Sequence, residues 1–521
     1  MALTNLKSLG IVSLLTFLSR IFGYIRDFIF AFTLGATPAA DSFLLAFRIP
    51  SFFRRLFAEG AINNAFVPLY LDIKNKKGQI KAEIFTSYFF FFLLLVLIVV
   101  VMLCEIFMTT IISILAPGFD SNQLEKTVFL ARVMFPYLLF ISLASLVGAV
   151  LNAHKYFSLW AFTPIILNLC MIIAMCYAYK KLLITEIFLS YSVIISGLVQ
   201  FVIIYFYLAF RKIKIHFKTP KIDNNIKNLL RLLLPNVLAG GVIQINQFIG
   251  LVFASSISGA ISWLYYADRI AQLPLGIFAI SISTILLTSL SNEQANMKRA
   301  QIKAKLNSFF ILMMGIMFLC TTGLLALSDL IVDILFKRGK FGYGDVKATS
   351  DALKMYALGL PAFGLIKLFS TIYFSKKITS IPFYISFFSM LLNCILVLLL
   401  VKNYGHLGIA LSLSLASWGN AFLLYSILHF RDIWKINKNV FKNTIKIITS
   451  SVIAYLIISL SYYIVIFYDL IPLYNLFLKI IFLTLLIFIA IFSFLFLITI
   501  TGVLGINDFK LKNIKALLRK N

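Results

Sequence analysis

Long apolar runs recur along the whole sequence, and they constrain the fold more than any other feature. Two of them are FFFFLLLVLIVVVMLC at 89–104 and IIFLTLLIFIAIFSFLFLITI at 480–500. A helix of about 20 residues crosses a hydrocarbon core of about 30 Å, and in lipid the backbone amides must be paired within the segment. With 61% hydrophobic and 13% charged residues, the chain cannot cover a soluble surface. The pattern predicts an all-α polytopic membrane protein.

The apolar runs and the polar loops between them predict about fourteen spans. They lie near 8–35, 39–70, 84–116, 124–152, 156–179, 184–210, 226–256, 260–291, 302–336, 350–375, 379–402, 406–430, 444–468 and 473–503.

Lysine and arginine are concentrated in alternate loops, which assigns those loops to the cytoplasm by the positive-inside rule. The formal charge of +28 therefore indicates membrane orientation and not nucleic-acid binding. Both termini are expected in the cytoplasm, and a removable signal peptide is not expected. One loop departs from the rule, because KRGKFGYGDVK at 337–347 is basic yet external by count. The basic loops are 72–81, 211–231, 291–305, 429–446 and 507–521.

The polar connections are too short for a soluble domain, which excludes a built-in nucleotide-binding or catalytic module. The sequence has no phosphate loop of the G-x-x-x-x-G-K-[ST] type. The five cysteines and four histidines are scattered without metal-ligand spacing, so no cofactor or metal is expected. Energy would then come from the membrane potential, at about 2.3 kcal/mol per elementary charge per 100 mV.

A weak internal repeat relates two short segments of the chain. AFRIPSFFRRLFA at 46–58 and ADRIAQLPLGIFA at 267–279 carry the same residue at five aligned positions. Each segment lies in the second span of a six-span set. An even number of spans per repeat gives two halves with the same orientation, which can enclose a cavity and rock about it.

Ionised residues recur inside spans 1, 2 and 8, as in FLSRIFGYIRDFIF at 17–30. An arginine at the bilayer centre costs about 2.5–3.5 kcal/mol, so four such residues facing lipid would cost on the order of 10 kcal/mol. They must face protein or water. Structural ion pairs, Arg26–Asp27 and Asp268–Arg269, are one interpretation. Because arginines outnumber nearby carboxylates, the alternative is a cationic, water-filled cavity for a phosphate-bearing substrate.

The residues that carry the charge form two predicted groups. Asp41, near the external end of span 2, and Asp268 are assigned to gating, with a plain helix cap as the alternative for Asp41. The substrate-binding group contains Arg20, Arg26, Asp27, Arg48, Arg54, Arg55, Glu59 and Arg269.

Three motifs resemble the MurJ (MviN) family of bacterial lipid II flippases, in the multidrug/oligosaccharidyl-lipid/polysaccharide exporter superfamily. They are SRIFGYIRD at 19–27, GATPAADSFLLAFRIPSFFRRLFAEGAINNAFVP at 35–68 and SWLYYADRIAQLPLGIFAISISTILLTSLS at 262–291. Span number and order are also similar. Arg48 keeps a charge where relatives carry lysine. The resemblance implies that the family's cavity charges match Arg20, Arg26, Asp27, Asp41, Arg54, Glu59 and Arg269.

The resemblance implies two six-helix lobes in a V shape plus two C-terminal helices that hold a polyprenyl tail. The substrate would be undecaprenyl-pyrophosphoryl-MurNAc-pentapeptide-GlcNAc, lipid II, flipped across the bacterial inner membrane for peptidoglycan assembly. Membrane lipids and cell-wall synthesis proteins would be further partners. The expected domains are 1–215 (N-terminal lobe), 216–435 (C-terminal lobe), 436–505 (tail groove) and 506–521 (cytoplasmic tail).

A sodium site found in some relatives is not expected here. Span 7 offers Gln244, Asn246 and Gln247 and span 11 offers Asn393, but neither has a carboxylate.

Rival functions remain at this point. They are a flippase for another lipid-linked oligosaccharide, a cationic-drug exporter, an anion channel and a polyprenyl-phosphate-dependent glycosyltransferase. Arginine dominance disfavours a cationic drug, the two-lobed repeat fits a channel badly, and short outer loops disfavour the enzyme. We expect a transporter and not an enzyme.

Overall fold

The computed structural model describes residues 2–57, 61–216, 221, 223–293, 299–468 and 475–503. Within these ranges the chain is almost entirely helical and has no strand, which confirms the all-α prediction. Glu59 and the predicted cytoplasmic tail at 506–521 lie outside the described residues.

The chain divides into two compact units. The first contains residues 1–262 and 338–342, and the second contains residues 263–337 and 343–521. The lobe boundaries predicted from the repeat, at 215/216 and 435/436, stay a prediction.

The helices of the first unit follow one another with short connections. They are α1 (Ala2–Leu34), α2 (Pro38–Phe57), α3 (Ala61–Lys77), α4 (Gln79–Ile106), α5 (Met108–Leu115), α6 (Ser121–Met134), α7 (Tyr137–Ala153), α8 (Ser158–Lys180), α9 (Thr185–Phe210) and α10 (Asn224–Ala254).

The second unit begins within α11, so the first residues of this helix belong to the first unit. A π-helical turn at Leu275–Ala279 follows α11 directly. The helices are α11 (Ala260–Pro274), α12 (Ile280–Glu293), α13 (Arg299–Phe336), α14 (Tyr343–Ser375), α15 (Ser380–Tyr404), α16 (His406–Phe430), α17 (Lys438–Phe467) and α18 (Leu476–Ile500).

Eleven helical segments of the described chain are long and apolar enough to cross a membrane. Helices α1 and α2 fall outside this set, and each carries at least three ionised residues. Helix α10 contributes a shorter apolar stretch, Gln244–Ala254. The polytopic class is confirmed, whereas the count of fourteen spans stays a prediction.

The helix ends recur with the period of the sequence repeat. The interval from the start of α2 at Pro38 to the start of α11 at Ala260 equals the interval from the start of α8 to the start of α15. Left-handed turn residues recur in nearly the same register, Lys155 matching Lys377 and Lys212 matching Asp432. A match this regular extends the repeat well beyond the short motif that indicated it.

The basic loop at 337–347, predicted to be external against the positive-inside rule, has Lys337 and Lys347 paired with carboxylates of the second unit. Lys337 pairs with Asp333 at 3.1 Å, and Lys347 lies 3.3 Å from Asp351 and 3.9 Å from Asp329. Asp333 also pairs with Lys479 of α18. These ion pairs offset the charge of the lysines and tie α18 to α13.

Close backbone approach holds the centre of the second unit together. A Cβ placed on Gly359 of α14 would lie 2.5 Å from the Oγ of Ser414 and 2.9 Å from its Cα, in α16. Small residues that let backbones approach are the usual contact between helices in lipid, where the hydrophobic effect does not drive association.

We predict that Gly359→Val destabilises the protein, because the added methyl groups must push α14 and α16 apart. Overpacking of this kind costs about 1–3 kcal/mol. The measurement is the apparent melting temperature of purified protein in detergent. Gly315→Val in α13 is the matched control, since nothing lies within 4 Å of its Cβ position. Equal melting of the two variants would contradict the prediction.

Candidate functional site

Arg26 and Asp27 form a buried ion pair on α1. The guanidinium donates to Asp27 Oδ1 from Nε at 3.0 Å and from Nη2 at 2.6 Å, and the residues are 6% and 2% exposed. Nη1 donates to Asn168 Oδ1 at 3.1 Å. These are the contacts of a structural ion pair, one of the two interpretations given by the sequence. The role of the pair in substrate binding stays a prediction.

Asn168 of α8 is a member of this network that the sequence analysis missed. Its Nδ2 donates to the carbonyl oxygen of Ser19 at 3.2 Å, so one amide binds both the charge and the backbone of α1. A Cβ on Gly23 would lie 3.7 Å from the same nitrogen. The available signal was a single asparagine in the apolar run PIILNLCM, because an amide in lipid needs partners.

Two other arginines of the first unit lack such partners. Arg20 is exposed on α1 and has neither a hydrogen bond nor an ion pair with any described residue. Arg48, half-buried on α2, has a buried Nε without a hydrogen-bond partner among the described residues. A buried donor left unpaired costs about 1–3 kcal/mol, so Arg48 is suited to a ligand that supplies an acceptor.

Arg55 contacts α10 through neutral groups. Its Nη1 donates to Gln244 Oε1 at 3.3 Å and to Gln247 Oε1 at 3.1 Å. These amide oxygens were weighed in the sequence as ligands for a cation, and here they accept from a cation of the protein itself. Arg54 beside it is half-buried, and α2 continues as a helix through Pro50.

Asp41 binds the first turn of a different helix from its own. Its Oδ2 accepts from the backbone N–H of Gly259 at 2.7 Å, and its Oδ1 accepts from the N–H and the Oγ of Ser262 at 2.9 and 2.6 Å. The side chain is 1% exposed. Asp41 therefore caps α11, where unpaired N–H groups and the helix dipole favour a carboxylate.

The two ends of this contact are equivalent positions of the repeat, because Asp41 and Ser262 are separated by the same interval as the two repeated motifs. The sequence predicted gating or a plain helix cap for Asp41, and it did not indicate Ser262 or Gly259 as partners. The shared position in the repeat was the available signal, although it does not by itself say that the two residues touch.

Two loop contacts on the same predicted external side also repeat each other within the first unit. Gly118 donates its N–H to Ser255 Oγ at 3.1 Å, and its counterpart in the repeat, Gly339, packs on Phe32. A Cβ would lie 2.4 Å from the Cα of Ser256 at the first glycine and 2.2 Å from the Phe32 oxygen at the second. Only glycine permits these approaches.

Arg269 and Asp268 belong to the second unit. The Nε of Arg269 donates to Tyr265 Oη at 3.3 Å, and the guanidinium lies 5.3 Å from the centre of that ring. Asp268 accepts from Gln272 Nε2. The π-helical turn at Leu275–Ala279 follows within two turns, and such turns are frequent at functional sites.

Comparison with known proteins places the chain in a family. The family described as "Lipid II flippase MurJ" matches residues 30–499. The chain belongs to the MurJ family. A probable lipid II flippase MurJ of Rickettsia prowazekii is 37% identical over 434 residues, which cover 81% of this chain and 84% of that protein.

Solved structures agree with this assignment. A structure described as "Lipid II flippase MurJ, inward closed conformation" is similar with a TM-score of 0.80 and 29% identity, over 94% of this chain and 98% of that one. An inward-facing multidrug MATE transporter of the MOP superfamily has a TM-score of 0.67 at 13% identity, over 79% and 94% of the chains, and shows the fold alone. The predictions of a MurJ-family flippase and of a transporter instead of an enzyme are confirmed, whereas the superfamily stays a prediction. The assignment of individual residues to binding or gating stays a prediction.

We predict that Asp27→Ala lowers the free energy of unfolding by about 3–5 kcal/mol, because it leaves a buried guanidinium without its carboxylate. The double variant Arg26→Met, Asp27→Leu removes both charges and is expected to melt close to the wild type. Thermal unfolding in detergent measures both. Wild-type melting of Asp27→Ala would contradict the prediction, and loss of transport in a stable double variant would assign the pair to the substrate.

Proposed function

We propose that this protein moves lipid II from the cytoplasmic to the periplasmic leaflet of a bacterial inner membrane, with both termini in the cytoplasm. Transport would proceed by alternating access, with arginines of α1, α2 and α11 binding the diphosphate. The observation that carries the proposal is the surplus of arginine: Arg20 has no partner among the described residues, and a buried Nε of Arg48 has none.

A diphosphate needs such groups because it cannot enter hydrocarbon with its charges unpaired. Guanidinium binds phosphate oxygens through two parallel N–H donors and stays charged at any physiological pH. Arg20 and Arg48 would replace the water around the phosphates, with Arg54, Arg55 and Arg269 adding donors. The glutamines that accept from Arg55 are neutral, so they hold its side chain without cancelling its charge.

Arg26 and Asp27 have a different role in this scheme. Since they neutralise each other in a buried site, they are expected to fix α1 against α8 and so to position Arg20, less than two turns away. They would act on the substrate through that position.

Asp41 would act as the external gate. Its carboxylate joins the start of α2 to the start of α11 through three hydrogen bonds, two of them to backbone N–H groups. Opening towards the periplasm would break these bonds and hydrate the carboxylate. Asp268, next to Arg269, would lower the repulsion among cations when no substrate is bound.

The last two helices would hold the polyprenyl tail, as expected for 436–505, while 1–215 and 216–435 form the moving lobes. Helix α18 packs on α13 through Phe482, Leu486 and Ala490 and leaves Phe488, Phe492 and Phe496 exposed. An apolar surface of this kind suits an isoprenoid chain. Cell-wall synthesis proteins, which consume the product, are the expected further partners.

We predict that Arg20→Gln, Arg48→Gln and Arg269→Gln each lower lipid II translocation at least tenfold, since a hydrogen bond to a charged group contributes about 1.5–3 kcal/mol. The measurement is translocation in a bacterium whose own flippase is depleted. Arg211→Gln is the matched control, because Arg211 is exposed and stacks on Tyr156 at 4.3 Å. Full activity of all three variants would remove the basis of the proposal.

We predict that Asp41→Asn slows translocation while the protein stays folded, because the amide keeps the shape of the cap but loses its charge. Asp120→Asn is the control: Asp120 caps its own helix α6 in an exposed position and accepts from Gln123 N at 2.7 Å. Equal translocation by the two variants in the same depletion strain would argue against a gate at Asp41.

A further inference from the structure

A cavity of about 450 Å³ lies in the second unit, where α12, α14 and α16 end and α13 begins. By loop charge this is the cytoplasmic side. Its volume falls in the range of ordinary ligand sites, about 300–1,000 Å³. None of its lining residues belongs to the arginine group of the proposed transport site.

Three cations line the cavity: Lys303 of α13, Lys376 after α14 and Arg431 after α16. None of the three forms an ion pair with a described carboxylate. Among the described lining residues the one carboxylate is Asp432, which pairs with Lys435 at 3.1 Å. The cavity is therefore cationic and open to an anion.

The deeper walls are apolar. Leu290, Leu306 and Ile372 are each 3% exposed or less and contribute to the same cavity. A small inorganic ion would gain nothing from contact with these apolar side chains. A ligand with a charged head and an apolar body would contact both parts.

The internal repeat supplies a comparison within the chain. At the equivalent place in the first unit, around Lys155 and Arg211, the side chains of Tyr70, Lys74 and His154 form a hydrogen-bonded cluster. There His154 Nε2 lies 2.9 Å from Tyr70 Oη, and its Nδ1 lies 3.4 Å from Lys74 Nζ. Burial and the adjacent Lys74 lower the pKa of His154, which favours the neutral ring.

The contacts of the equivalent arginines also differ between the two places. Arg211 lies on the ring of Tyr156 in the first unit, whereas its counterpart in the repeat, Arg431, lines the cavity. In both units, cations that follow a helix C-terminus interact favourably with the negative end of the helix dipole. That effect explains why cations stand at both places, but it does not explain why Arg431 lines a cavity while Arg211 stacks on a ring.

We propose that this cavity binds the phosphate-bearing headgroup of an anionic phospholipid of the cytoplasmic leaflet. Three facts support this ligand: the position at helix ends, where headgroups lie, the three unpaired cations, and the apolar inner walls. Basic pockets between the cytoplasmic ends of membrane helices are suited to anionic headgroups. Bound lipid would fix the ends of α13, α14 and α16 relative to one another.

The test uses the full-length protein, purified and delipidated in neutral detergent. Binding of fluorescent phosphatidylglycerol is titrated for the wild type and for Lys303→Gln, Lys376→Gln, Arg431→Gln combined. The matched control is Lys155→Gln, Arg211→Gln, Lys212→Gln, which removes the same charge from the equivalent helix ends of the first unit. Phosphatidylcholine serves as the zwitterionic comparison, and inorganic phosphate as the competitor.

We predict that the cavity variant binds phosphatidylglycerol about tenfold to a hundredfold more weakly than the wild type, while the control variant stays within about threefold. Phosphatidylcholine should bind weakly to all three proteins. Equal losses in the two variants, or no loss in the cavity variant, would overturn the proposal. Competition by millimolar inorganic phosphate that abolishes lipid binding would also overturn it, in favour of a free-phosphate site.

Melting temperatures of both variants are compared, so that unfolding is not read as lost binding. The lipid-binding test does not measure lipid II translocation, so either result leaves the proposed transport function untouched.

Discussion

The structure depends on one constraint: an ionised side chain inside a membrane must be paired within the protein, or it must face water or a ligand. Most of the intramembrane charges satisfy the first condition inside one unit. Arg26 pairs with Asp27, and Asp333 holds Lys479. The Asp333–Lys479 pair fixes α13 against α18, because separating these helices would leave unpaired charges at a cost of several kcal/mol. Arg26 and Asp27 lie on the same helix, and Asn168 joins this pair to α8. Arg20 and Arg48 lie outside these pairs, and they are the charges that we propose for substrate binding.

The second feature of this molecule is an internal repeat whose two halves differ in their side-chain contacts. Helix ends, left-handed turns and glycine contacts recur at nearly one interval along the chain, so the backbone plan of the two halves is shared. Differences between the halves are then informative, since a purely architectural need would be met in the same way twice. In the first half Tyr70, Lys74 and His154 form a hydrogen-bonded cluster at these helix ends, whereas the second half has a cationic cavity at the matching place.

Much of the fold followed from hydrophobic length and loop charge, because both are local properties of the chain. The helices, the short loops, the repeat and the transporter class could all be predicted in this way. The partners of individual side chains could not, because they depend on which helix faces which. Asn168 is one polar residue in an apolar run, and nothing local says that it binds Arg26 and Ser19. Gln244 and Gln247 suggested a cation ligand by composition alone, yet their oxygens accept from Arg55.

The contact between Asp41 and Ser262 has a consequence for how such a chain can evolve. Equivalent positions of the repeat meet there, and one is an acid while the other is a hydroxyl whose backbone N–H also donates to that acid. A chain made of two identical copies of the first half would bring aspartate against aspartate at this point, and one made of two second halves would have no acid to cap either helix. This contact therefore requires two halves that differ at the shared position, and exchanging one half for a copy of the other would remove it.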